Sequence, residues 1–136
     1  MPGTRVAICT TCSERKRRTP ETPIPAAQRY SSRRIRHVLA VAQRRRLPVL
    51  ILSGRYGLLS PRRRIPWYDR PLAAEDVPAL ANKLERQLRR LRLDALELWA
   101  RPASTPGWQP YHDALRVACA VTGVRLTKVL LDETWL

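Results

Sequence analysis

Four short apolar runs alternate with three amphipathic stretches along this chain, and few architectures accommodate that order. The runs are "RVAICT" at Arg5–Thr10, "PVLILS" from Pro48, "LDALELWA" from Leu93 and "VRLTKVLL" from Val124. The second is continuously apolar and ends at Gly54, the pattern of a strand covered on both faces. Between the first two runs, Ile35, Val38, Leu39 and Ala42 fall at helical spacing within Ser32–Arg46, with Arg33, Arg34, Arg36 and the Arg44 to Arg46 run on other faces. Between the second and third, Val77, Leu80, Ala81, Leu84, Leu88 and Leu91 line one stripe of Glu75–Arg92. Acids open that stretch and Arg89, Arg90 and Arg92 close it, as the helix dipole favours. A third helix is expected from near Pro110 to about Thr122, stopped by Gly123. This alternation predicts an α/β fold in three layers, a mainly parallel four-stranded sheet with helices on both faces.

At 136 residues the chain suits one α/β domain over 1–136, with no room for a second good core. No apolar run approaches the roughly 20 residues of a membrane span, and the N-terminus lacks a signal peptide's charged front and long apolar region. Cys9, Cys12 and Cys119 cannot all pair within the chain, so a reducing compartment is expected, and with it a soluble cytoplasmic protein. Trp135 and Leu136 are candidates to seal the core or to form a dimer contact.

The net charge of +15 is unevenly spread. Residues 1–70 hold 17 Lys and Arg against three acids (Glu14, Glu21 and Asp69), a net +14; residues 71–136 hold nine against eight, a net +1. An Arg-rich composition alone would raise Arg throughout, whereas a one-sided field attracts polyanions and releases their counterions on contact. The expected partner is DNA or RNA, with a nucleotide as a further possible ligand and no membrane.

In parallel sheets ligands bind beyond the carboxyl ends of the strands. Three loops leave from that edge: 10–30, 52–72 and 101–110. Cys9 and Cys12 sit at the exit of the first strand, where the first loop begins, with Lys16 in a basic run. A Cys-x-x-Cys pair suits zinc or redox chemistry, but only His37 and His112 remain as further ligands and a Pro-rich loop follows where a redox helix would start, so no metal is expected. Cys12 is instead a candidate nucleophile near cations; a buried Cys9 and an inert loop Cys12 is the plainer alternative. "RYSSRR" puts Tyr30, Ser31 and Ser32 before a helix, where either Ser can be the N-cap and the backed helix start can bind an anion. "TPGWQPYHD" offers Trp108 and Tyr111 for stacking on bases, or for covering the core edge. His112 with Asp113 could form an acid/base pair, although adjacent helical residues point apart. No Gly-rich phosphate loop, Walker signature or dinucleotide fingerprint occurs, so no cofactor is expected.

"CSERK", "RYSSRRIRHVLAVAQ", "VLILSGRYGLLSP", "IPWYDRPL" and "GWQPYHDAL" follow, in order, the pattern of a family of small bacterial and phage α/β domains. In that pattern a Cys and Lys follow the first strand, a Tyr-Ser precedes a helix, and an "ILSAKYGLL…PYD" block follows the second strand. Gly54-Arg55 stands here where Ala-Lys is commoner. The "SG-x-YG" core also resembles the peroxide-stress DNA-binding protein family. Cys12-x-x-x-Lys16 with Tyr30 and Ser32 is similar to the signature of archaeosine synthase, which modifies a deazaguanine base in tRNA. The resemblance implies a uracil-DNA glycosylase-like fold and a nucleobase pocket lined by Cys12, Lys16, Tyr30, Ser32, Ser53, Tyr56, Gly57, Tyr68 and Asp69.

The leading expectation is a nucleic-acid-binding protein that acts on a nucleobase or nucleoside, by base modification or glycosidic-bond chemistry in DNA or tRNA. Such chemistry needs an unstacked base, aromatic walls and a clamp on the flanking phosphates. Asp69 is then the candidate base or cation stabiliser, and Lys16 or Cys12 the nucleophile. Tyr56, Trp67 and Tyr68 would sandwich the base. Arg33, Arg34, Arg55, Arg62, Arg63 and Arg64 are candidates for phosphate binding. A non-catalytic DNA- or RNA-binding stress protein and an enzyme on a free nucleotide are the alternatives.

Overall fold

The computed structural model describes residues 4–12, 16–69, 71–132 and 134. Trp135 and Leu136 lie outside them. The elements are β1 (Val6–Thr11), β2 (Ile24–Pro25), α1 (Ala26–Arg29), α2 (Arg33–Arg45), β3 (Val49–Ser53), β4 (Gly57–Leu59), β5 (Arg64–Ile65), α3 (Val77–Leu91), β6 (Ala95–Ala100), α4 (Gln109–Thr122) and β7 (Arg125–Leu130), with a 3₁₀ turn at Ala74–Asp76 before α3.

The central sheet has five strands in the order β4-β3-β1-β6-β7. The four expected strands are its parallel part: β1 pairs with β3 and β6, and β6 with β7. The fifth, β4, corrects the expected four-stranded sheet. It turns back antiparallel on β3 with Ser53 opposite Gly57. Only three residues long, it lay hidden in a segment that reads as loop, because a tight hairpin needs no periodicity of its own. The 10–30 segment also holds more than loop: β2 pairs antiparallel with β5, and the short α1 follows.

Helices cover both faces. α2 lies on one, where Val38, Val41 and Ala42 pack on Ile8. α3 and α4 lie on the other, where Leu80, Leu84, Leu88, Ala114, Leu115 and Ala118 meet Cys9, Leu52, Leu96 and Leu98. Ser32 caps α2, its Oγ accepting from Ile35 N at 3.3 Å. α4 ends at Gly123 with φ 78°, the left-handed position that glycine takes without strain. No helix among the described residues is long and apolar enough to cross a membrane.

The order of the strands decides where the site lies. From β1 the chain crosses to β3 on one side, and the later strands β6 and β7 lie on the other. The crevice between β1 and β6 is therefore a topological switch point, and its carboxyl edge is the ordinary place for a ligand. Thr10 and Thr11 of β1, with Cys12 just after it, stand at that edge, as do Ala100 of β6 and Arg101 just after it.

Candidate functional site

β1 delivers Cys12, β3 delivers Ser53 and α4 delivers Tyr111 to one end of the sheet. The 16–30 segment brings Lys16 and Tyr30, and the segment after β5 brings Tyr68. Tyr30, Tyr68 and Ser53 are buried together. Ser53 Oγ accepts from the backbone N–H of Arg55 at 3.2 Å and of Tyr56 at 3.1 Å, closing a tight turn after β3. Its own proton is thus directed to Tyr68 Oη, 3.0 Å away. Tyr68 Oη in turn lies 2.5 Å from Tyr30 Oη. Two phenol protons share that one bond, which leaves one proton to donate outside the pair.

The proton of this chain is held tightly. Burial, followed by the neighbouring Cys12, pushes the Tyr68 hydroxyl up to about 12. Burial first and Cys12 second push Tyr30 up as well. Both phenols stay neutral donors over the physiological range.

Around this core stand aromatic rings and cations. Tyr56 meets Tyr68 edge to face at 5.6 Å, and Tyr30 meets Tyr68 likewise at 6.4 Å. Lys16 Nζ sits over the Tyr68 ring at 4.6 Å. The Arg55 guanidinium lies 5.4 Å from the Tyr56 ring and 5.8 Å from that of Tyr68; Arg63 lies 5.3 Å from Tyr56. Trp67 is 37% exposed, with Arg18 over its ring at 4.9 Å, so it belongs to the rim. Since Tyr56 and Tyr68 are perpendicular, they form an angled wall rather than the expected sandwich.

Cys12 is half-buried and its Sγ donates to Tyr111 Oη at 3.5 Å. The other two thiols are inert by comparison. Cys9 is wholly buried in the core and burial pushes its thiol up; burial pushes Cys119 up to about 11. Among the described residues no three His, Cys, Asp or Glu side chains gather as a metal site.

Two buried arginines shape the site rather than its surface. Arg34, expected at a phosphate, is 2% exposed. Its Nη1 donates to Thr10 Oγ1 at 2.6 Å and Thr11 O at 2.8 Å, its Nη2 to Cys12 O at 3.2 Å. It therefore fixes the end of β1 and lies 4.9 Å from the Trp108 ring, which packs against the core. Burial lowers its pKa to about 10, so it remains a cation beside Cys12 at neutral pH. Arg29 is fully buried and donates to Arg17 O, Pro20 O, Thr22 O and Ile65 O. It ties the 16–24 segment to β5 and so sets Lys16, whose backbone bridges to Tyr30, over Tyr68. Nothing in "AAQRY" separates this arginine from its many solvated neighbours.

The remaining expected residues lie outside the cluster. Asp69 is exposed, although its neighbour Tyr68 turns inward. Arg33 and Arg62 to Arg64 are exposed as well, and of these Arg63 stacks on Tyr56. Ser32 is engaged as the cap of α2. Gly57, with φ 74°, opens β4, and its turn is held by Gln87, which accepts from Leu58 N at 2.8 Å and donates to Tyr56 O at 3.0 Å. His112 and Asp113 do not form a dyad. His112 contacts Arg101 O and Lys128, burial lowers its pKa, and Asp113 accepts from Gln109.

No curated protein and no solved structure matches the chain. A family model does, over residues 8–130, from the middle of β1 to the last residue of β7 and across every site element described above. The chain belongs to that family, described as a family of unknown function (DUF6884).

Proposed function

We propose that this chain binds nucleic acid and acts on a nucleobase or nucleoside at the Cys12, Tyr30, Tyr68 cluster. The observation that carries the proposal is the convergence of Cys12, Lys16 and a buried hydroxyl chain with one spare proton, ringed by arginines stacked on tyrosines. Cys12 is the nucleophile, beside the buried Arg34 cation. The phenols donate to a heteroatom of the base, and Lys16 holds developing negative charge. Arg55, Arg62, Arg63 and Arg64 form the rim that meets phosphates. Asp69, exposed as it is, belongs to that rim and not to the reacting centre.

The one-sided charge of +14 on residues 1–70 supports a polyanionic partner. The resemblance of Cys12-x-x-x-Lys16, Tyr30 and Ser32 to archaeosine synthase, and of the "SG-x-YG" block to the peroxide-stress DNA-binding proteins, points the same way. A mainly parallel sheet with helices on both faces is compatible with the uracil-DNA glycosylase type that the resemblance implies.

The test has two parts. Fluorescence anisotropy with a labelled single strand of about 20 nucleotides should show affinity falling steeply between about 50 and 200 mM salt, and replacing Arg62, Arg63 and Arg64 by Gln should flatten the log–log slope by about 2. A salt-independent affinity refutes nucleic-acid binding. Mass spectrometry of nucleosides from bulk tRNA and genomic DNA incubated with the protein should show an altered base, lost in Cys12→Ala and Lys16→Ala while binding persists. Unaltered nucleosides with the wild-type protein refute the chemistry and leave a binding protein.

A further inference from the structure

α2 presents an exposed stripe formed by Arg33, Arg36, Ala40 and Arg44, at spacings of three and four residues. Its opposite side, with Ile35, Val38, Val41 and Ala42, is buried on the sheet. No acid occurs between residues 33 and 46, which include Arg33, Arg34, Arg36 and the Arg44 to Arg46 run. Glu97 of β6 reaches the helix and is taken by Arg45 at 2.7 Å. The other long helices differ: Arg89 meets Glu85 on α3, and Arg116 meets Asp113 on α4. An ordinary solvated helix interleaves the two signs in that way. Stability does not account for the stripe on α2. Arg33 and Arg36 stand in the first turn, where the helix dipole favours acids, and neighbouring cations repel. A polyanion laid along the stripe reverses both effects.

Position and composition say which polyanion fits. Arg34, in the first turn of α2, donates to Thr11 O and Cys12 O, so the stripe starts at the candidate site. From Arg33 to Arg44 it runs about 16 Å along the sheet face. It offers no ring on which an unpaired base could stack: the helix contains no Phe, Trp or Tyr, and His37 is turned onto Trp99. The rim does offer such rings, Tyr56 with Arg55 and Arg63, and Trp67 with Arg18. Beyond Ala40 the stripe also has no apolar side chain to enter a bilayer. What it can hold is a row of phosphates whose bases are paired and turned away.

We propose that the outer stripe of α2 seats the phosphate backbone of a double-stranded segment adjoining the unpaired nucleotide that enters the site. This rests on the nucleic-acid function proposed above and narrows the substrate class to one with a paired stem or duplex beside the target.

Fluorescence anisotropy of the full chain tests it with two labelled probes, a single strand of about 20 nucleotides and the same strand joined to a hairpin of about 12 base pairs, each in DNA and in RNA. In DNA or in RNA the hairpin probe should bind at least about tenfold more tightly than the single strand at physiological salt. Arg36→Gln combined with Arg44→Gln should remove that advantage and flatten the hairpin's log–log salt slope by about 2, with single-strand affinity changed less than about twofold. Both positions are exposed and Gln forms helix well, so the fold is kept. Arg89→Gln combined with Arg116→Gln removes the same charge from α3 and α4 and should leave the advantage intact. No hairpin advantage in either nucleic acid, one that survives the α2 substitutions, or one lost equally with the α3 and α4 substitutions overturns the inference and leaves the proposed function standing. Binding to phosphatidylserine and phosphatidylcholine vesicles that the α2 substitutions abolish, with hairpin binding unchanged, overturns it as well. Failure of every oligonucleotide to bind overturns both.

Discussion

Replacing Arg29 by Met should loosen the segment that carries Lys16 and lower the stability of the whole domain. The guanidinium makes four hydrogen bonds to carbonyls, at 3.2 Å to Ile65, 2.7 Å to Arg17, 3.0 Å to Pro20 and 3.0 Å to Thr22. Bonds to a charged group contribute about 1.5–3 kcal/mol each, so a plain sum would reach about 6–12 kcal/mol. That sum overstates the loss. Arg17, Pro20 and Thr22 are exposed residues whose carbonyls regain water once the segment moves, and the cost of burying the cation disappears with it. A net loss of about 3–4 kcal/mol remains, near the value for breaking a buried charged network. For a domain of this size that corresponds to a fall in Tm of about 10–15 °C. Arg29→Lys should recover little of it, because an ammonium with three donors cannot span four carbonyls set for a planar fork. Differential scanning calorimetry gives the global effect, and amide hydrogen exchange at Arg17, whose N–H is bonded to Arg29 O at 2.7 Å, gives the local one. A fall of less than about 3 °C with unchanged exchange at Arg17 would refute the assignment of Arg29 as the anchor of that segment.

Iodoacetamide near pH 8 should label Cys12 well before Cys9 and Cys119, since burial raises the latter two thiols and Cys12 alone is half-buried; equal labelling of Cys119 by mass spectrometry would contradict it. Burial raises the folded pKa of Tyr68 to about 12 and that of Tyr30 too, above the ordinary 10.0. The native state then holds protons that the unfolded chain releases, so this stability is complete below pH 10 and is lost as pH rises from there through about 12. An ultraviolet titration should show these two phenols ionising only with unfolding, and four tyrosines titrating reversibly near 10 would exclude the buried pair. Gly57→Ala should lower stability in urea by about 2 kcal/mol, from left-handed strain and displacement of Gln87 from the turn it holds. An unchanged urea midpoint would show that the turn adapts.

The sequence carried the layered plan, because a strand covered on both faces and a helix with one apolar stripe write different periods into the chain. "PVLILS" and the stripe from Val77 to Leu91 needed no partner to be recognised. It also carried much of the candidate site. Once strands alternate with helices, Cys12, Ser53 and Tyr111 must all leave the sheet at one edge, whatever the loops do.

Short elements and contacts between separate segments hid the rest. β4 has three residues and pairs by a hairpin, which has no period to detect. Arg29 and Arg34 sit among 26 basic residues, and only the folded chain separates two guanidiniums that bind backbone carbonyls from those that face solvent. Asp69 and Tyr68 are neighbours in sequence, yet one is exposed and the other is buried against the Ser53 and Tyr30 hydroxyls. Local patterning, then, determined the four long strands and three long helices and the edge at which their chemistry meets. Which side chains face one another across that edge was decided by tertiary contacts, because burial and hydrogen bonding between segments far apart in sequence leave no local mark.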